Sequence, residues 1–124
     1  VVITGDGDML MGMGALASIA VQKPANLSIV VLDNERYGET GMQPSHSAFG
    51  VDLAAIAADC GFPLSDTLTA EAEVSSLSQQ LYTQEGPLFA NIKVKPEDLP
   101  RVLPPRDGAF LSSRFRSAVL GEDT

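Results

Sequence analysis

An α/β fold, a three-layer parallel sheet with helices on both faces, is what this 124-residue sequence predicts. Three features predict it. Val1-Val2-Ile3 is a β-branched run that stops at glycines, Met9 to Val21 has helical length and composition, and Ser28 to Leu32 is a second β-branched run bounded by polar residues. A strand, a helix and a strand in that order make a crossover. The two strands are then parallel, the connection is almost always right-handed, and both carboxyl ends lie on one edge of the sheet.

Each element can be justified in turn. The first helix carries Leu10, Met13, Leu16, Ala17 and Ala20 on overlapping faces, with its methionines read as core filling. Gly12 and Gly14 each cost a helix roughly 1 kcal/mol against Ala. They are expected to permit close packing against the sheet, a preceding segment or a ligand. Lys23-Pro24-Ala25-Asn26 ends the helix and turns the chain toward the second strand. Residues 34–50 read as a polar, glycine-bearing loop over the carboxyl rim, where loops commonly carry function.

Asp52 to Cys60 reads as a helix with Asp52 as N-cap and Gly61 as its stop. Cys60 continues the stripe of Leu53, Ile56 and Ala57, which makes it a small core residue rather than a nucleophile. A weakly marked strand follows near Pro63 to Leu68. Glu71 to Gln84 is an amphipathic helix, with Thr69 as the expected cap and Val74, Leu77 and Leu81 as its buried stripe. Gly86-Pro87 breaks it, and Leu88 to Val94 is a strand apolar enough to be central. The Pro-rich run from Pro96 to Pro105 is a tether to a last helix near Gly108 to Leu120, which spaces Leu111, Phe115 and Val119 four residues apart. The organisation expected is an α/β domain over 1–95, then a tether and helix over 96–124 that pack on the domain or on a partner.

Composition narrows the function classes. A formal charge of −8, from 16 acids and 8 bases, argues against a nucleic-acid partner. The arginines at 101, 106, 114 and 116 are dispersed among prolines and acids rather than clustered. No apolar stretch approaches the roughly 18 residues that suggest a membrane span. A single cysteine cannot form an internal disulfide and fits a reducing, cytoplasmic compartment.

The chemistry gathers at the carboxyl rim. Gly5-Asp6-Gly7 ends the first strand and Asp33-Asn34 ends the second, so Asp6 and Asn34 leave the sheet side by side, where open α/β sheets bind ligands. Glycines at 5 and 7 are expected to turn the backbone sharply and bring it close to a ligand, and the start of the following helix offers N–H groups to an anion such as a diphosphate. A bare Asp6 carboxylate would repel that anion unless a cation lay between them. Magnesium, which takes oxygen ligands from one or two carboxylates and from phosphates, suits the place. Asp6 would supply a carboxylate oxygen, Asn34 its amide oxygen and a main-chain carbonyl just past Asn34 a third.

Gly5-Asp6-Gly7 followed by Asp33-Asn34, with the 25 residues 8–32 between them, resembles the signature of thiamine diphosphate enzymes. The flanks Met11 to Ala17 and Tyr37 to Gln43 look most like the sulfopyruvate and phosphonopyruvate decarboxylase branch. The tail from Leu103 to Gly108, running into Arg114-Phe115-Arg116, is similar to the end of its β subunits. The resemblance implies Mg²⁺ held by Asp6, Asn34 and the carbonyl of Arg36. It implies a thiamine diphosphate contact surface of Gly5, Asp6, Gly7, Asp8, Asn34, Arg36, Tyr37 and Gly38, with N–H groups of Gly7 and Asp8 on the diphosphate. Position 8 departs from the family, which commonly has a small or hydroxyl residue there, so the Asp8 side chain is expected to turn away.

By the same resemblance the chain is a part of a 2-oxoacid decarboxylase, inactive alone, with its active site completed by a pyrimidine-binding domain or subunit in an oligomer. The family's domain normally begins with elements before the Gly-Asp-Gly turn, so the chain reads as truncated at its N-terminus. Among the loop residues Glu35, Tyr37, Glu39, Thr40, Gln43, Ser45 and His46, which could meet a small anionic substrate or relay a proton, His46 is the candidate catalytic group because its ordinary pKa suits proton transfer. An exposed or loop-bracing role is the alternative for it. Other readings of the whole are a carboligase of the acetolactate synthase type, a non-catalytic α/β assembly module, and a Rossmann nucleotide binder. The last is disfavoured by Leu10 where a third glycine belongs, and a P-loop by the absence of Gly-Lys-Ser/Thr.

Overall fold

The computed structural model describes residues 1–97, 100 and 102–121; Arg101 and parts of the expected tether lie outside them. Strand β1 (Val2–Gly5) leads into helices α1 (Asp6–Met11) and α2 (Gly14–Gln22), then strand β2 (Ser28–Asp33). A two-stranded antiparallel ribbon follows, β3 (Arg36–Tyr37) with β4 (Gln43–Pro44), where a loop was expected. Helix α3 (Leu53–Cys60), strand β5 (Leu64–Leu68), helix α4 (Glu71–Thr83), strand β6 (Leu88–Lys93) and helix α5 (Gly108–Leu120) complete the chain.

The four long strands are all parallel, in the order β1-β2-β6-β5, so β6 is central as its apolar sequence predicts. Alternation along the strands divides the core between two faces. Ile29, Val31 and Phe89 pack with Leu16 and Ala20 of α2 and with Leu53, Ala54 and Ala57 of α3. Val30, Leu88 and Ala90 pack with Leu77 of α4 on the opposite face. Phe62 meets Phe89 edge to face, with ring centroids 6.1 Å apart, and Cys60 lies against the first cluster as a free thiol.

Several local expectations need correction. The helix expected over 9–21 starts earlier and is broken: α1 begins at Asp6, closes where the Gly12 N–H bonds the Asp8 carbonyl, and α2 restarts at Gly14. Two poor helix formers flanking Met13 make the break cheap. Neither glycine is packed closely, since a Cβ on Gly14 would meet open space and one on Gly12 only an ordinary contact. The Gly-Asp-Gly segment passes from strand to helix without a positive φ: Gly5 is extended, at φ −90° and ψ 164°, and Gly7 is already helical.

The cap of α4 is Ala70, not Thr69, because the Glu73 carboxylate reaches back to accept both the Thr69 and the Ala70 N–H groups. These bonds hold the Glu73 carboxyl below its ordinary value. Val74 is about a third exposed, leaving Leu77 as the buried residue of the helix. Asp52 caps α3 as expected, accepting from the Ala54 and Ala55 N–H groups, and Gly61 ends it in the left-handed conformation at φ 109°. Helix α5 is present over its expected range but buries none of its residues, with Phe115 72% exposed. Among the described residues, no helix is long and apolar enough to cross a membrane.

Candidate functional site

The carboxyl ends of β1 and β2 open into a cleft of about 310 Å³. All eight residues expected to contact the cofactor line it, Gly5 to Asp8 from the first turn and Asn34 and Arg36 to Gly38 from the second. Parallel pairing of Gly5 with Leu32 sets the two turns beside each other. Asp8 is exposed on the rim, with Oδ2 about 3.8 Å from where a Cβ on Gly5 would stand. Helix α1 has Asp6 and Asp8 in its first turn, where N–H groups lack acceptors within the helix.

The second turn is a double corner. Asp33 Oδ1 accepts the Glu35 N–H at 3.0 Å, and Asn34 Oδ1 accepts the Arg36 N–H at 2.9 Å. Between them Glu35 adopts a left-handed conformation, φ 61°, uncommon for a residue with a side chain. Two successive side-chain-to-backbone bonds explain how it is held there. A carbonyl oxygen has two lone pairs, so the Asn34 amide oxygen retains one for a further ligand.

Beneath the rim lie two buried carboxylates with different neutralisation. Asp33, fully buried, takes a salt bridge from Lys93 at 2.7 Å, the Asn91 amide at 3.0 Å and the Ser47 hydroxyl at 2.7 Å. Burial opposes its charge, but the bonds from Lys93, Asn91 and Ser47, with the Lys93 charge, outweigh that and hold the carboxyl below its ordinary value. Burial likewise opposes the charge on Lys93, and bonds to Asp33 and Glu35 overcome it, raising the ammonium above its ordinary value. Asp6 is 2% exposed and has only neutral partners, its Oδ2 accepting from the Ser45 hydroxyl and lying 3.2 Å from the Ser47 hydroxyl oxygen, whose one proton goes to the nearer Asp33. Among the described residues it has no basic partner.

The loop residues divide: Tyr37, Glu39 and Thr40 line the cleft, whereas Gln43, Ser45 and His46 do not. Tyr37 stands on the cleft wall, its hydroxyl 3.1 Å from His46 Nδ1, with the two rings perpendicular. His46 is exposed and reaches the cleft only through Tyr37. A Cβ on Gly7 would come within 2.8 Å of the Tyr37 ring, so the glycine there serves a close approach between the two turns. Thr40 and Gln43 bond each other across the ribbon, and Ser45 is buried under Asp6 rather than facing substrate.

Sequence reasoning overlooked Ser47, Asn91 and Lys93. For the latter two a signal existed: polar residues at alternate positions where an apolar strand reaches its carboxyl end share one face and point toward the rim. Ser47 carried none, because its role depends on a loop path.

The donor set suits a hard cation. Asp6 lines the cleft and, among the described residues, no hydrogen bond engages its Oδ1, while the Asn34 oxygen keeps a lone pair and the Arg36 carbonyl belongs to the same corner. All three are oxygens, the donors Mg²⁺ prefers. No group of three or more His, Cys, Asp or Glu residues able to hold a metal exists among the described residues. A protein-only cage is thus absent from them, and a site of one carboxylate completed by amide, carbonyl and phosphate oxygens is the form that fits.

A family model described as thiamine pyrophosphate enzyme, C-terminal TPP binding domain, matches residues 1–92. The chain is 36% identical to the sulfopyruvate decarboxylase subunit beta of Methanothermobacter thermautotrophicus, over 98% of this chain and 62% of that one. It is 35% identical to the phosphonopyruvate decarboxylase of Streptomyces viridochromogenes, over 96% of this chain and 30% of that one. Over 58% of its length it is 42% identical to the sulfopyruvate decarboxylase subunit beta of Methanocaldococcus jannaschii, covering 37% of that chain. The chain therefore spans less than two thirds of each of these relatives.

Proposed function

The chain belongs to the thiamine pyrophosphate enzymes, matching their C-terminal TPP binding domain, and from that premise we propose that it anchors the Mg²⁺-diphosphate end of thiamine diphosphate in a 2-oxoacid decarboxylase. The observation that carries this reading is Asp6, a carboxylate 2% exposed at the cleft with neutral partners only. Burying a charge is costly unless it is paired. Here the cation comes from outside the chain.

Asp6 Oδ1, the Asn34 amide oxygen and the Arg36 carbonyl hold Mg²⁺. The Gly7 and Asp8 N–H groups, at the start of α1, bind diphosphate oxygens, and Tyr37 and Gly38 form the adjoining wall. Asp8 adds a negative charge beside the phosphate, which makes the metal more necessary. His46 orients the Tyr37 hydroxyl, and through it any proton exchanged at the cleft would pass. Thiamine diphosphate, when bound, supplies the ring that adds to the 2-oxoacid carbonyl and takes up the electron pair as CO₂ leaves.

Residues 1–95 form the cofactor-binding unit, and 96–124 tether α5, whose uncovered apolar side chains fit a partner surface. The names of two relatives as β subunits support a partner subunit; in this reading that partner carries the pyrimidine-binding half of the site, in a cytoplasmic oligomer. Sulfopyruvate or phosphonopyruvate is the substrate class that the relatives favour. The test is calorimetric titration with thiamine diphosphate in Mg²⁺ and then in excess EDTA. Binding that EDTA abolishes and Asp6→Ala lacks supports the reading; metal-independent binding, or none, defeats it.

A further inference from the structure

The two turns that hold the metal ligands are tied together by a third segment. Ser47 begins 14 residues beyond Asp33 and 41 beyond Asp6, yet its hydroxyl lies 2.7 Å from Asp33 Oδ1 and 3.2 Å from Asp6 Oδ2. Ser45, whose hydroxyl donates to Asp6 Oδ2, is 2.9 Å from it. Both serines are buried, in and just before the short 3₁₀ helix His46–Phe49. Among the described residues both hydroxyl contacts to Asp6 fall on Oδ2, which leaves Oδ1 as the oxygen to meet a ligand at the cleft.

Asp33 in turn sets the second corner, because its Oδ1, the atom that Ser47 contacts, also accepts the Glu35 N–H next to Asn34. One hydroxyl thus touches the carboxylate of the first ligand and the carboxylate that shapes the turn of the second. We propose that Ser47 is a positioning residue for the metal, fixing the separation and orientation of Asp6 and the Asn34-Arg36 corner so that the site favours Mg²⁺ over larger cations. This rests on the metal-anchoring reading above. Mg²⁺ demands near-ideal octahedral geometry at short distances, whereas Ca²⁺ accepts a looser and more variable shell. Groups that orient a ligand without touching the metal commonly matter 10–100-fold in affinity. A loosened bridge therefore weakens Mg²⁺ first.

The experiment is titration of the full protein with MgCl₂ and with CaCl₂ at a fixed, saturating thiamine diphosphate concentration, for the unaltered protein and for Ser47→Ala. The expected result is a loss in Mg²⁺ affinity of about tenfold or more with a much smaller loss for Ca²⁺. Ser47→Cys fills the same space with a weak donor; it is expected to shift the ratio in the same direction and serves if the alanine variant does not fold. Equal losses for both cations would show a merely structural serine and overturn the proposal. So would unchanged affinities. Failure of the unaltered protein to bind Mg²⁺ would instead defeat the metal reading itself.

Discussion

Asp6 directly follows one strand and Asp33 ends its parallel neighbour, and both are almost wholly buried, yet the chain treats them in opposite ways. Asp33 is given a lysine, an amide and a hydroxyl; Asp6 is given hydroxyls alone. A carboxylate with an internal cation is finished as structure. One without is a place where folding leaves a charge for something else to neutralise, and the occupant proposed for it, at a sheet rim beside a helix start, is a metal with an anion attached. The difference separates a residue that holds the site from one that is the site.

The sharpest break of this comparison is to remove each charge in turn. Asp6→Asn keeps an acceptor for Ser45 but is expected to abolish Mg²⁺-dependent cofactor binding, read by calorimetry, while the metal-free protein unfolds at an unchanged or higher urea concentration. Lys93→Met should do the reverse. It leaves Asp33 buried and unpaired, a change worth about 3 kcal/mol, read as a lower urea midpoint with the metal ligands all present. If the two variants behave alike, the comparison collapses.

Acid and base unfolding sharpen it further. The Asp33 carboxyl is depressed below 3.8, so its contribution to stability is full above that value and is lost as pH falls through the folded-state pKa. Lys93 is raised above 10.5, so its contribution is present below 10.5 and is lost as pH rises through the folded-state value. In Lys93→Met the alkaline loss should vanish and the acid loss shrink, as followed by circular dichroism across pH. The smallest effect belongs to Glu35→Gln. That carboxylate also meets Lys93, at 2.9 Å, but is 43% exposed, so losing it should cost below about 1 kcal/mol in the same urea assay.

A second pair of aspartates shows what was legible beforehand. Asp52 and Asp107 cap α3 and α5 with the same geometry, each accepting two N–H groups at 3.0–3.1 Å. Asp52, Gly61 and the apolar stripe of α3 could be read directly, as could the range of α5, because caps and periodicity are properties of a few adjacent residues. Burial is not: α3 packs its apolar stripe on the sheet, whereas α5 buries none of its residues. The misplaced cap at Thr69 and the unbroken helix over 9–21 failed for a related reason. Glu73 reaching back, and two weak glycines giving way at Met13, are choices between local options of similar free energy.

What the sequence by itself determined was the parallel pairing of β1 with β2, the rim at which they end, and Asp6 and Asn34 side by side on it, which follow from patterns within a crossover of some thirty residues and its chirality. Asp8, Arg36, Tyr37 and Gly38, which also line the cleft, were reached through the family resemblance. Only the tertiary structure decided which aspartate receives a cation. Lys93 and Asn91 reach Asp33 across 60 and 58 positions (93 − 33, 91 − 33), and Ser47 reaches Asp6 across 41. Pairing of buried charges depends on which atoms share a small volume after folding, and distance along the chain carries no record of that volume.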